Sequence, residues 1–76
     1  MAAKALRHAI AQAAQRIGQH PRIGVLRQDL LGEPYRFLTL GSFPYVIVYN
    51  AARNPPLIMR VLHGARDLQN ALRDLQ

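Results

Sequence analysis

The first part of the chain carries its most regular hydrophobic pattern. Apolar side chains recur at intervals of three and four over residues 2–17, and basic and amide side chains fall mostly on the other side. Alanine is abundant here and favours the helical state. Gly18 and Pro21 then interrupt the pattern. The spacing predicts an amphipathic helix whose apolar stripe comprises Leu6, Ile10, Ala13 and Ile17.

Three strand-like runs follow in the second half of the chain. Residues 35–40 alternate in polarity, and residues 45–49 are apolar on both faces with a β-branched centre, which is typical of a strand covered on both sides. Residues 57–63 alternate again. Strict alternation would place Arg60 on the same face as Ile58 and Leu62, and His63 with Met59 and Val61. Because the connections are short, the runs are predicted to form an antiparallel meander.

The remaining segments complete the predicted α+β fold. Residues 22–33 show only apolar pairs among polar residues and are predicted to form a loop lying on the core. Residues 65–75 repeat leucine at helical spacing and predict a short C-terminal helix. The length of 76 residues allows a single domain with a thin core. We therefore expect one domain over residues 1–76, an antiparallel meander packed against an N-terminal helix.

Composition narrows the functional classes. The absence of cysteine excludes disulfides, thiolate zinc sites and cysteine nucleophiles, and no apolar run is long enough to span a membrane. No signal peptide is recognisable, so a cytoplasmic location is expected. The net charge of +6 comes from ten basic and four acidic residues, and nine of the ten cations are arginine. This bias favours an acidic protein surface or a nucleic acid as partner, although a GC-rich genome would produce the same bias.

Candidate chemistry is sparse. No nucleophile motif, paired carboxylates, metal-ligand spacing or phosphate-binding glycine loop is present, so no catalytic residue, metal or cofactor is predicted. A basic and aromatic group remains, which a metal-free ribonuclease could use. Alternatively, its tyrosines fill the core, Arg60 pairs with Asp67 or Asp29, and His63 is structural. The group comprises Arg36, Tyr45, Tyr49, Arg60, His63 and Arg66.

The C-terminal half closely resembles the ParE/RelE superfamily of bacterial toxins, and most of all its ParE branch, also known as plasmid stabilisation proteins. The resemblance covers essentially the whole chain, and its terminal motif, residues 60–67, is fairly specific. A helix followed by Pro21 and Gly24 is similar to the end of that family's second helix. The matching segments are Tyr35-Arg36, Tyr45-Val46-Ile47-Val48-Tyr49, Met59-Arg60-Val61-Leu62-His63-Gly64-Ala65-Arg66-Asp67 and His20-Pro21-Arg22-Ile23-Gly24.

The resemblance also implies a departure at the N-terminus. Family members typically begin with a strand and a first helix, whereas this sequence begins at the family's second helix. An uncovered helix face and sheet edge are therefore expected, and another chain would cover them, either the antitoxin or a second copy. The residues expected to bind the antitoxin are Leu6, Ile10, Ile17 and Leu26.

The branch resemblance implies the activity. The ribonuclease branch tends to carry extra basic residues on the central strand and a tyrosine or histidine in the last helix, where this chain has Val46, Gln69 and Asn70. The resemblance thus implies a toxin that inhibits DNA gyrase by protein contact and is neutralised by a ParD-like antitoxin, without sequence-specific binding of nucleic acid. The alternatives are a ribosome-dependent mRNA endoribonuclease like RelE, or a truncated non-toxic remnant that still binds antitoxin. The expected target contacts are Arg36, Tyr49, Arg60, His63 and Arg66.

Overall fold

A computed structural model describes residues 2–64 and residue 72 of the chain. Helix α1 spans Ala2–Gln19, and strands β1, β2 and β3 span Tyr35–Thr39, Tyr45–Asn50 and Leu57–His63. The predicted α+β fold is confirmed for these elements. The helix predicted over residues 65–75 lies outside the described residues, except for the buried Leu72. In the described part of the chain, no helix has the length and apolarity needed to cross a bilayer.

Helix α1 extends two residues beyond its predicted end. Gly18 lies within the helix and its φ is not positive. It therefore does not form the left-handed cap that often ends helices. The last turn closes with a 2.8 Å bond from the backbone N–H of His20 to the carbonyl of Arg16. Pro21 then ends the helix, since the residue before a proline disfavours the helical conformation. Arg16 lies in the last turn, where a cation interacts favourably with the helix dipole.

The strands form the predicted meander. The sheet has the order β1-β2-β3, and both pairs are antiparallel. Ile47, Val48 and Tyr49 are consecutive on the central strand β2 and are all completely buried. Three buried residues in succession require cover on both faces of the sheet, as the apolar run of β2 predicts.

Each face of the sheet has its own hydrophobic cluster. The helix-side face packs against the apolar stripe of α1, and the opposite face is covered by Leu30, Leu31 and Leu72. Burying these side chains supplies most of the folding free energy of so small a domain. The buried members on the helix-side face are Ala13, Ile17, Leu40, Ile47 and Tyr49, and those on the opposite face are Leu30, Leu31, Phe37, Val48 and Leu72.

A β-bulge in strand β3 changes the predicted facing of Arg60. Arg60 pairs with Val48, but the next paired residue opposite Tyr49 is Ile58, so the register shifts at Met59. Ile58 packs against the helix-side cluster, whereas Val48 belongs to the cluster on the opposite face. The prediction that Arg60 and Ile58 share a face is therefore wrong. A bulge places two residues against one and reverses the alternation beyond it.

The segment between α1 and β1 lies on the core, as predicted. Val25 forms an isolated antiparallel bridge with Phe37, in which each N–H donates to the other residue's carbonyl at 2.8 Å. The bridge covers part of the outer edge of β1. Leu30 and Leu31 are buried on the opposite face, while Val25 stays 59% exposed. This segment therefore fixes the chain beside β1 and shapes the surface described below.

Candidate partner-contact surface

Tyr49 organises the loop that follows α1. Its side chain is 0% exposed, and its hydroxyl donates to the carbonyl of Pro21 at 2.6 Å and accepts from the N–H of Gly24 at 2.9 Å. A side chain without exposed surface cannot contact a partner in the folded protein. Tyr49, one of the expected target contacts, therefore has a structural position, in agreement with the alternative that the strand tyrosines fill the core.

Gly24 is the backbone counterpart of Tyr49. A Cβ atom at this position would lie 2.8 Å from both Cε1 and the hydroxyl oxygen of Tyr49, and 3.0 Å from the carbonyl oxygen of Phe37. Only a residue without a side chain allows the loop to approach the sheet so closely. The sequence offered this glycine merely as a helix-exit motif and did not reveal its contact with a tyrosine 25 residues away.

Arg36 holds the same loop from strand β1. Its Nη1 donates to the carbonyl of Gly24 at 2.8 Å and, more weakly, to the carbonyl of Arg22 at 3.4 Å. Arg36 is half-buried and pairs with Tyr49 across the sheet. The guanidinium and the tyrosine hydroxyl thus fix residues 21–24 at four backbone groups.

A concave surface, which we call the α1-end cleft, lies where this loop meets the sheet. It has a volume of about 700 Å³. Two cations, Arg22 and Arg36, line it together with the carboxylate residue Glu33. Sequence reasoning missed Arg22, because its proximity to Arg36 depends on the loop folding back over β1. The remaining lining residues are Gln19, His20, Pro21, Ile23, Leu26, Pro34, Ala51 and Ala52.

The other expected target contacts lie elsewhere. Arg60 is half-buried on the opposite face, where its Nη1 donates to the carbonyl of Met59 at 3.1 Å. His63 pairs with Tyr45, and their rings meet edge to face with centroids 5.6 Å apart. Tyr45 packs against the helix-side cluster, so His63 and Arg60 lie on different faces of the sheet. Arg66 lies outside the described residues. The basic and aromatic group is therefore not a single site among its described members.

The residues expected to bind antitoxin do not form an open groove. Ile17 is 1% exposed in the core, and Leu6 and Ile10 are half-buried against the helix-side cluster. The expectation of an uncovered apolar face on α1 is corrected here: the sheet itself covers that face. Leu26 is 37% exposed and lines the α1-end cleft, so it alone of the four presents substantial surface.

One exposed ion pair joins two described residues, Arg27 and Asp29. Nη2 of Arg27 lies 2.9 Å from Oδ2 of Asp29, and Nε of Arg27 donates to Oδ1 at 3.0 Å. These hydrogen bonds, more than the charge attraction, lower the pKa of Asp29 and raise that of Arg27. Asp29 is thus engaged by Arg27 and does not serve as the partner of Arg60, and Asp67, the other expected partner, is outside the described residues.

Comparison with known proteins identifies the family. No curated protein and no solved structure is significantly similar to the chain. The family described as the ParE toxin of the type II toxin–antitoxin system, parDE, matches residues 2–68. The matched range includes α1, the whole meander and the motif that ends in Arg66 and Asp67. The chain belongs to the ParE toxin family of type II toxin–antitoxin systems.

Proposed function

We propose that this protein inhibits DNA gyrase by direct contact in the bacterial cytoplasm and is neutralised by a ParD-like antitoxin. The observation that carries the proposal is the match to the ParE toxin family over residues 2–68. Membership implies an antitoxin partner in general. The net charge of +6 is consistent with acidic protein partners.

The positions of the ionisable groups favour contact over catalysis. General acid–base chemistry requires its groups within hydrogen-bonding reach of one substrate. Here Arg36 and the hydroxyl of Tyr49 bind backbone groups on the helix side, and Arg60 lies on the opposite face. A ribonuclease of the RelE kind would need a site that does not combine Arg36 and Tyr49 with Arg60.

Arg60 and Arg66 are our proposed gyrase contacts. The bond from Arg60 to the Met59 carbonyl restrains its guanidinium at the bulge, which lowers the entropy lost when it binds a carboxylate. Arginine in an interface forms charge-assisted, bidentate hydrogen bonds, and truncating a central one commonly costs about 2 kcal/mol or more. His63 completes the predicted motif, but its ring packs on Tyr45, and we assign it a supporting role.

The test measures supercoiling by purified gyrase in the presence of each variant. Arg60→Ala and Arg66→Ala should each raise the half-inhibitory concentration more than ten-fold, the factor that about 1.4 kcal/mol represents. Arg53→Ala is the control, because Arg53 is exposed in the β2–β3 connection and lies outside the proposed contact. Equal inhibition by all three variants would remove the assignment of these contacts.

His63→Gln separates the two activities. In the contact mechanism this variant should lose a little stability and keep its inhibition, whereas a general base in a ribonuclease would lose nearly all activity. Cleavage of ribosome-bound mRNA by the wild type, abolished in His63→Gln, would favour the ribonuclease. Antitoxin capture without either activity would identify the chain as a non-toxic remnant.

A further inference from the structure

We propose that the α1-end cleft is the site that receives an acidic side chain of the antitoxin. Arg22 and Arg36 would bind the carboxylate, and an aliphatic neighbour of that residue would pack on Leu26 and Ile23 at the rim. This inference rests on the proposed function, since it assumes an antitoxin. It replaces the apolar groove on α1, which the sheet fills.

The cleft is organised before any partner arrives. Arg36 uses only Nη1 for its bonds to the loop carbonyls, so within residues 2–64 its Nε and Nη2 donate to no other group. The buried hydroxyl of Tyr49 also fixes the loop, through its hydrogen bonds to the Pro21 carbonyl and the Gly24 N–H. Because these bonds already hold the Arg36 guanidinium and the loop, binding a carboxylate requires ordering mainly of the exposed Arg22 side chain.

The two cations of the cleft are not neutralised within the described residues. Glu33 lines the cleft but lies beyond salt-bridge distance of both Arg22 and Arg36. Arg22 is exposed and has no ion pair in this part of the chain. Two arginines against one carboxylate leave the cleft with a net positive charge, which is complementary to an acidic residue. The two oxygens of a carboxylate also match the fork geometry of a guanidinium group.

The lining favours a peptide over a nucleic acid. Phenylalanine, tyrosine and tryptophan are absent from the cleft lining, so the imidazole of His20 is the one aromatic ring there on which a base could stack. Glu33 and the negative end of the α1 dipole, near Gln19, would repel a chain of phosphates, whereas a single carboxylate can sit beside the arginines. Small aliphatic walls at Pro34, Ala51 and Ala52 and a volume of about 700 Å³ suit one or two peptide side chains.

The experiment is a calorimetric titration of the full chain with its cognate antitoxin. Arg22→Glu should weaken the affinity at least ten-fold, because it reverses a charge in the cleft. Arg53→Glu makes the same charge change at an exposed position outside the cleft lining and should leave the affinity within about two-fold. Leu26→Ala should also weaken binding, through lost apolar contact. Circular dichroism of each variant serves as the control for folding.

The outcomes separate the two proposals. If the wild type binds antitoxin and Arg22→Glu binds as tightly as Arg53→Glu, the cleft is not the acidic site, and the antitoxin partnership stands. If the wild type does not bind antitoxin, the proposed function fails along with the cleft. A charge swap identifies the residue that enters the cleft. An antitoxin variant with one acidic residue replaced by lysine should bind the Arg22→Glu toxin with restored affinity only if that acidic residue is the one that enters the cleft.

Discussion

Replacing Tyr49 by phenylalanine should destabilise the protein far more than the loss of one oxygen atom suggests. The hydroxyl is the partner of two backbone groups, the carbonyl of Pro21 and the N–H of Gly24. The ring is completely buried, so phenylalanine keeps its packing but offers neither donor nor acceptor. The loop after α1 then loses both of its hydroxyl-mediated contacts.

The magnitude follows from the two lost partners. A buried N–H left without an acceptor costs about 1–3 kcal/mol, and the part-buried carbonyl of Pro21 loses a bond worth about 0.5–1.5 kcal/mol. We therefore expect Tyr49→Phe to lower the free energy of unfolding by about 1.5–4.5 kcal/mol. In a domain of this size, such a loss lowers the melting temperature by at least about 6 °C.

Urea denaturation, monitored by circular dichroism, measures the change in the free energy of unfolding. All variants are compared at one protein concentration, because association would change the apparent stability. Tyr45→Phe is the matched control: Tyr45 lies on the same strand and is half-buried, and its hydroxyl makes no hydrogen bond within the described residues. It should change stability by less than about 0.5 kcal/mol. Equal midpoints for the two variants would refute the structural role assigned to the Tyr49 hydroxyl.

Three further predictions concern the loop, the ion pair and association. Gly24→Ala should destabilise by about 1–3 kcal/mol in the same assay, whereas Gly18→Ala, with open space around it in α1, should stabilise by about 0.5–1 kcal/mol. Arg27→Ala should raise the pKa of Asp29 towards its ordinary value in an NMR titration. The small stabilisation from that pair is fully present at pH values above the pKa of Asp29 in the unfolded chain. It is lost as the pH falls through the lowered pKa of Asp29 in the folded protein. Because β3 is an edge strand in the described part of the sheet, sedimentation should detect a homo-oligomer, or a complex when antitoxin is present. A stable monomer at micromolar concentration would contradict the expected homo-oligomer.

Local patterns predicted the elements well. The stripe of α1 and the strand of consecutive apolar residues in β2 follow from periodicity alone, since each residue's face depends only on its own segment. The bulge at Met59 did not follow, because it arises from how β3 pairs with β2. Alternation consequently placed Arg60 correctly with Leu62 and incorrectly with Ile58.

The site was harder to predict because it depends on distant contacts. Arg36 and Tyr49 stood out in the sequence as polar groups on strands, which is why they were expected to contact a target. Their backbone partners lie 12 to 28 residues away, in a loop without strong periodicity. Only the folded chain shows that they organise a cleft, and that Arg22 joins them there.

The most direct test of gyrase inhibition is a titration of purified gyrase with the purified wild-type protein, with plasmid supercoiling as the readout. We predict that supercoiling falls with increasing toxin and that added antitoxin restores it, while ribosome-bound mRNA in a parallel reaction stays intact. Undiminished supercoiling at a large molar excess of folded protein, together with cleavage of the mRNA, would contradict the proposal and establish a ribonuclease in its place.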